Sequence, residues 1–266
     1  MRVALLGPLE VTGADGAEVK LGGMRVRRVL ARLALAPGTM VTADALIDAV
    51  WGDSPPAGAQ GALQSLVSRL RQVLPPGGPW IAAGPAGYRL LLADEDVDAG
   101  RFESLAAQGR AARDAGDLAV AASRFAEALA LWRGTPLAGL GPADVLPGAA
   151  TRLDELRLRT AEDRAEALLA SPDGNADDLV SELAELTAAH PLRERAHALY
   201  MRALCAAGRP AQALAAFEVL RRALREELGA DPDPAIRELH AQILRGQPPD
   251  RAPAACRLQG SVSSSG

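Results

Sequence analysis

The polar side chains with the clearest chemical use lie in the run from Gly58 to Leu74. On a helix, with about 100° between successive residues, this run gathers its leucines on one side and its polar residues on the other. The polar side offers amides and hydroxyls for base edges and carries no acid that phosphate would repel. Predicted base contacts are Gln64, Ser65, Ser68 and Arg71, and the predicted phosphate contact is Arg69. An ordinary amphipathic helix that faces water has the same pattern, so both interpretations stay open.

Four further arginines lie on a second predicted helix between Met24 and Pro37. They are Arg25, Arg27, Arg28 and Arg32. We expect Arg25 and Arg28 to contact phosphates, while a solvated helix face is the alternative explanation of the cluster. A hairpin is predicted between Trp80 and Leu92, and its Arg89 is expected to reach the DNA backbone or minor groove as part of a wing. A hairpin that only completes a sheet is the alternative.

Enzymatic chemistry has little support in the sequence. The only lysine, Lys20, lies in EVKLGG, so no phosphate-binding loop of the form GxxxxGK[ST] is present. The histidines lack the HExxH pattern or a cysteine partner that would complete a metal site. They are His190, His197 and His240. Acidic pairs such as Asp177 and Asp178 lie in polar sequence, where solvated helix faces are expected. We predict no catalytic residue, no metal and no cofactor.

The length and the charge distribution of the chain indicate how many domains it has and which part meets nucleic acid. Its 266 residues suffice for two domains with sizeable cores, and its formal charge of −4 is unevenly distributed. Residues 1–93 carry nine Lys or Arg against six Asp or Glu, whereas residues 94–266 carry 20 against 27. The basic N-terminal part is therefore the expected partner of nucleic acid. Two distant cysteines, Cys205 and Cys256, and the absence of a signal peptide or long apolar run predict a cytoplasmic protein.

The order of the periodic segments predicts an α+β N-terminal winged helix followed by an all-α, tetratricopeptide-like domain. Short strands are expected up to residue 21, and Thr42 is expected to cap the helix before Gly58. Two later segments repeat a Gly, Ala, Phe arrangement that lets paired helices approach closely. They are Gly116, Ala121 and Phe125, and Gly208, Ala213 and Phe217. The predicted parts are a winged helix over 1–93, a helical domain over 94–245 and a disordered tail over 246–266.

Three motifs in order carry a family resemblance. LIDAVWGDSPP, ALQSLVSRLRQVL and GYRL together resemble the OmpR-type winged helix of the Streptomyces antibiotic regulatory proteins. The segment HPLRERAHALYMRALCAAGRPAQALAAFEVL is similar to the bacterial transcriptional activator domain of the same family. The resemblance implies that the helix over Gly58–Leu74 enters the major groove and that the loop before it touches RNA polymerase. The residues of that polymerase-contact loop are Gly52, Asp53, Ser54, Pro55 and Pro56.

The leading hypothesis is a sequence-specific transcriptional activator. The resemblance implies binding to direct repeats in promoter DNA of a secondary-metabolite (antibiotic) gene cluster, as a homodimer, with recruitment of RNA polymerase holoenzyme at the nucleoid. One alternative is a protein-interaction adaptor whose helical repeats carry the function while the winged helix docks on a protein. Another is a ligand sensor that uses the concave side of the helices. Salt-dependent binding of promoter DNA distinguishes the activator from the adaptor.

Overall fold

A computed structural model describes residues 1–141, 146–172 and 174–247. Internal contacts divide the chain into two compact units. Unit 1 comprises residues 1–114 and 123–161, and unit 2 comprises residues 115–122 together with the chain from 162 onward. The tail predicted from residue 246 lies, from residue 248 on, outside the described residues.

Unit 1 begins with a two-stranded antiparallel sheet in which Val3 pairs with Val11. Three helices follow, and a second antiparallel sheet has the strand order β3-β5-β4. The elements are β1 (Arg2–Ala4), β2 (Glu10–Thr12), α1 (Met24–Ala34), β3 (Val41–Thr42), α2 (Ala43–Trp51), α3 (Ala59–Val73), β4 (Ile81–Gly84) and β5 (Gly87–Leu90). This order of strands, three helices and a hairpin is the arrangement that the sequence predicts.

Local sequence explains where the helices of unit 1 begin and which side they bury. The Thr42 hydroxyl accepts a hydrogen bond from the Ala45 N–H at 3.2 Å, which satisfies a free donor in the first turn of α2. Four apolar residues of α3 are buried in the core: Leu63, Leu66, Val67 and Leu70. Gly87 is required at the start of β5, because a Cβ there would collide with the backbone of Val41 and Thr42 on the neighbouring strand.

Residues beyond 93 complete the core of unit 1. After a 3₁₀ turn at Asp94–Asp96 come α4 (Asp98–Asp114), which lies in unit 1, and α5 (Leu118–Leu129), which belongs to unit 1 from Ser123 on. The backbone N–H groups of Leu5 and Leu6 donate to the Asp98 carboxylate at 2.6 and 3.0 Å. Arg133 and Leu137 donate backbone N–H groups to the carbonyls of Leu6 and Leu5 at 2.8 and 2.9 Å. The packing of unit 1 thus continues past residue 93, and the domain boundary predicted there stays a prediction.

Unit 2 is helical in its described part. Part of α6 (Pro147–Ala170) belongs to it, followed by α7 (Ala176–Ala189), α8 (Glu194–Ala206), α9 (Pro210–Leu228) and α10 (Pro234–Leu244). The turn between α8 and α9 contains Gly208 at φ 73°, a left-handed conformation that glycine adopts easily. Ala213 is fully buried and Phe217 is 5% exposed, so the predicted Gly, Ala, Phe arrangement does bring two helices together.

A buried ionic network fixes α6 to the start of α8 within unit 2. Glu162 and Asp163 are only 1% and 3% exposed. The Arg193 Nε donates to Glu162 at 2.6 Å, and Arg195 donates to Asp163 at 2.7 Å. These acids are paired core residues and not the solvated helix faces that acidic helix residues usually form. Within the described residues no group of His, Cys, Asp and Glu side chains is placed to hold a metal ion. No described helix is long and apolar enough to cross a bilayer.

Candidate nucleic-acid interface

The outer side of α3 is polar, exposed and without acid. All the predicted α3 contacts lie on the exposed side of the 15-residue helix, whose opposite side packs into the core. Gln64, Ser68 and Arg71 follow one another at spacings of four and three residues, so they line up along the helix. The structure therefore brings the predicted base-contact residues together on one accessible surface.

The hydrogen bonds of this surface decide what each side chain can still do. Ser65 Oγ donates to the Gly61 carbonyl at 3.0 Å, which leaves the hydroxyl lone pairs able to accept from a base amino group. Gln64 and Ser68 make no side-chain hydrogen bond with the described part of the chain. An unpaired Gln amide presents a donor and an acceptor together, which is the pattern that adenine requires in the major groove.

The two α3 arginines differ in their surroundings. Arg71 Nη2 donates to the Ile81 carbonyl at 3.0 Å and so links α3 to strand β4. Arg69 is exposed, and no carboxylate among the described residues forms an ion pair with it. The Arg69 guanidinium is thus available to contact DNA. The Arg71 guanidinium is partly used by its bond to the hairpin, so only its remaining N–H groups can contact DNA.

The hairpin forms a short wing beside α3. Its turn, Pro85–Ala86, is held to the start of α2, because the Ala43 N–H donates to the Ala86 carbonyl at 3.0 Å. Arg89 lies on β5 opposite Ala82 and is exposed. The wing therefore holds an accessible guanidinium on a fixed strand.

Two of the α1 arginines, Arg25 and Arg28, lie at the end of α2. Arg28 is half-buried, and it donates from Nε to the Leu140 carbonyl and from Nη1 to the Val50 carbonyl, both at 2.8 Å. Two of the three guanidinium nitrogens of Arg28 are thus used inside unit 1, and its predicted phosphate contact stays a prediction. Arg25 is exposed, and its guanidinium carbon lies 5.9 Å from the centre of the Trp51 ring. At that distance a cation–π contact forms while the charge stays in solvent.

The α2–α3 connector is the predicted polymerase-contact loop. Gly52 ends α2 at φ 56° and donates its N–H to the Asp48 carbonyl at 2.7 Å. The following four residues are all exposed, and they are Asp53, Ser54, Pro55 and Pro56. The connector is thus an accessible surface whose position is set by the last turn of α2.

Comparison with known proteins identifies the class of this chain. Residues 97–244 match the family described as bacterial transcriptional activator domain, and residues 16–90 match the one described as transcriptional regulatory protein, C terminal. The chain is 37% identical to regulatory protein DnrI of Streptomyces peucetius, over 93% of both chains. It belongs to the family of Streptomyces antibiotic regulatory proteins.

Other members of this family extend the comparison. The chain is 42% identical to regulatory protein AfsR of Streptomyces coelicolor, over 93% of this chain but 24% of AfsR. The solved structure of Mycobacterium tuberculosis EmbR, in complex with a low-affinity phosphopeptide, superimposes with a TM-score of 0.88 at 38% identity. The match covers 94% of this chain and 66% of the EmbR chain. These findings confirm the predicted family, the winged helix followed by a helical domain, and a role in transcription regulation.

Local sequence patterns miss one feature of this interface, the partial burial of Arg28. The partners of Arg28 are backbone carbonyls, one of them 112 residues away along the chain. Helical spacing alone places Arg28 beside Arg25, so nothing local distinguishes the half-buried arginine from the exposed one.

The family consists of transcriptional regulators, which are generally not enzymes.

Proposed function

We propose that the chain is a sequence-specific DNA-binding activator in which α3 enters the major groove of promoter DNA. The observation that carries this proposal is the exposed, acid-free side of α3 above a buried leucine side. A 15-residue helix is about 22 Å long, and a major groove about 12 Å wide admits it. Gln64, Ser65 and Ser68 contact base edges, and Arg71 contacts a base or a phosphate near the wing.

Phosphate contacts come from arginines around α3. Arg69 on α3, Arg25 on α1 and Arg89 on the wing are all exposed and able to meet the DNA backbone. Arg28 is left out of this set because its hydrogen bonds are made inside unit 1. Each phosphate contact contributes affinity on every sequence and adds about 0.9 to the magnitude of the salt slope.

The biological setting of the proposal follows the family. The chain binds direct repeats upstream of promoters of a secondary-metabolite gene cluster, in the cytoplasm and on the nucleoid. Direct repeats require a head-to-tail pair of protomers, and the helical domain supports that pair. The connector Gly52–Pro56 recruits RNA polymerase holoenzyme. Support comes from the match to DnrI over nearly the full length of both chains and from exposure of the connector.

The test begins with genome-wide mapping of the sites that the full chain occupies. Binding of the full chain to a mapped site and to a scrambled duplex is then measured by fluorescence anisotropy at several salt concentrations. Gln64→Ala should reduce the preference for the mapped site by about 1–3 kcal/mol and leave scrambled-DNA binding unchanged. Arg69→Ala should weaken binding to both duplexes and flatten the salt slope by about one unit.

Matched controls exist in unit 2 for both substitutions. Gln212 on α9 and Arg237 on α10 are exposed, and Gln212→Ala and Arg237→Ala should leave both affinities unchanged. If the full chain forms no specific complex at moderate salt, the activator proposal fails and the protein-interaction adaptor is favoured.

A further inference from the structure

We infer that Arg28 is a positioning residue that fixes the α2–α3 connector in the orientation in which it meets RNA polymerase. The inference rests on the proposed function of that connector. It assigns to Arg28 a role that requires no contact with DNA.

The first step is the contact that Arg28 makes with the end of α2. Val50 is the next-to-last residue of α2, and its carbonyl belongs to the last turn, where carbonyls have no partner inside the helix. Arg28 Nη1 donates to this carbonyl at 2.8 Å. A cation at a helix C-terminus also interacts favourably with the negative end of the helix dipole. Arg28 therefore caps α2 from the side.

The second step is the anchor on the other side of the guanidinium. Arg28 Nε donates to the Leu140 carbonyl at 2.8 Å, and Leu140 is buried in the core of unit 1. One planar group therefore joins the last turn of α2 to a fixed part of the same unit. A lysine has a single nitrogen and would have to reach both carbonyls from one point.

The third step links the end of α2 to the connector. Arg25 lies over Trp51, the last residue of α2, and Gly52 bonds back to Asp48. Beyond this turn the connector is exposed, and the Ser54 N–H donates to the Trp51 carbonyl at 3.3 Å, so this bond also returns to α2. The direction in which the connector leaves the core is therefore set by the last turn that Arg28 holds.

The recognition surface of α3 is held by other residues. Leu63, Leu66 and Leu70 anchor α3 in the core and make no use of Arg28. Loss of the Arg28 contacts should therefore move the connector more than α3. A general loss of stability would lower DNA affinity and transcription together, whereas loss of the Arg28 contacts should lower transcription alone.

The experiment uses the full chain carrying Arg28→Lys. Transcript yield is measured with RNA polymerase holoenzyme on a mapped promoter at saturating activator, beside DNA affinity and its salt slope. A hydrogen bond from a charged donor changes the equilibrium constant of the positioned connector by about tenfold, so the transcript yield should fall by up to about tenfold. DNA affinity should stay within about threefold, and the salt slope should not change, because no phosphate contact is lost.

A pair of glycine variants tests the same contact without removing the arginine. Gly141 has φ 92°, and a Cβ there would press against the Arg28 guanidinium, whereas Gly139 has φ 78° and open space around it. Gly141→Ala should reproduce the transcript loss of Arg28→Lys. Gly139→Ala carries similar backbone strain and should leave the yield unchanged.

Hydrogen–deuterium exchange of residues 52–58 supplies a readout that needs no DNA. Exchange there should be faster in Arg28→Lys than in wild type, while exchange in α3 stays the same. A salt slope flattened by about one unit, as in Arg69→Ala, would show that Arg28 contacts phosphate and would overturn the inference. Unchanged transcript yield and unchanged connector exchange would also overturn it. If wild type itself does not activate transcription, the proposed function fails, and the exchange result still decides whether Arg28 positions the connector.

Discussion

Replacing Asp98 with alanine should destabilise unit 1 strongly. The two oxygens of this carboxylate accept the N–H groups of Leu5 and Leu6, and both leucines are fully buried. Each buried N–H left without an acceptor costs about 1–3 kcal/mol, so Asp98→Ala should cost about 2–6 kcal/mol. Burial raises the pKa of the Asp98 carboxyl, against the opposing effects of Leu5, Leu6 and Arg133. Asp98→Asn relieves that burial penalty and keeps one acceptor, so it should cost less than alanine.

Urea unfolding followed by tryptophan fluorescence isolates this effect. The three tryptophans of the chain, Trp51, Trp80 and Trp132, all belong to unit 1, so the signal reports on that unit alone. For a urea m-value of about 2 kcal/mol/M, Asp98→Ala should lower the midpoint by about 1–3 M. Asp48→Ala, at an exposed position of α2, should shift the free energy of unfolding by less than about 0.5 kcal/mol. An Asp98→Ala midpoint equal to that of wild type would refute the reasoning.

Three further outcomes are expected. Gly61→Ala and Gly148→Ala place a methyl group in open space at exposed helix positions, so both should raise the free energy of unfolding by about 0.5–1 kcal/mol. Only Gly61→Ala should weaken DNA binding in anisotropy. Equal DNA affinities of the two variants would show that Gly61 lies outside the interface. Glu162→Ala should destabilise unit 2 by about 2–3 kcal/mol in circular dichroism, because two arginines lose a buried partner, whereas exposed Glu226→Ala should have little effect. Burial lowers the pKa of His197, so the unfolded state binds the proton more tightly. The wild-type free energy of unfolding should therefore fall as pH drops below about 6.5, and a similar loss in His197→Leu would contradict this assignment.

Patterns along the chain predict much of the fold and the shape of the interface. Helical spacing over residues 58–74 is enough to place Gln64 outside and Leu63 inside, because an amphipathic helix is a local property. The Thr42 cap is likewise decided within three residues. Such features depend on neighbours in sequence and can therefore be read without coordinates.

Contacts between distant residues could not be predicted in the same way. Asp98 meets Leu5 at a separation of 93 residues, and Arg28 meets Leu140 at a separation of 112. Glu162 resembles a solvated acid in sequence, and its burial depends on how α8 brings Arg193 toward it. These residues have polar side chains that tertiary packing buries. The periodicity of the sequence carries no information about such packing.

The central claim is that the exposed side of α3 lies against bases. Photo-crosslinking tests it directly, with benzoylphenylalanine placed at position 64 of the full chain, and at exposed position 108 on α4 as the control. On a mapped promoter site, position 64 should crosslink to bases within the bound repeat, and position 108 should not. Specific binding by the position-64 protein without any crosslink to bases would contradict the account, because another surface would then be meeting the DNA.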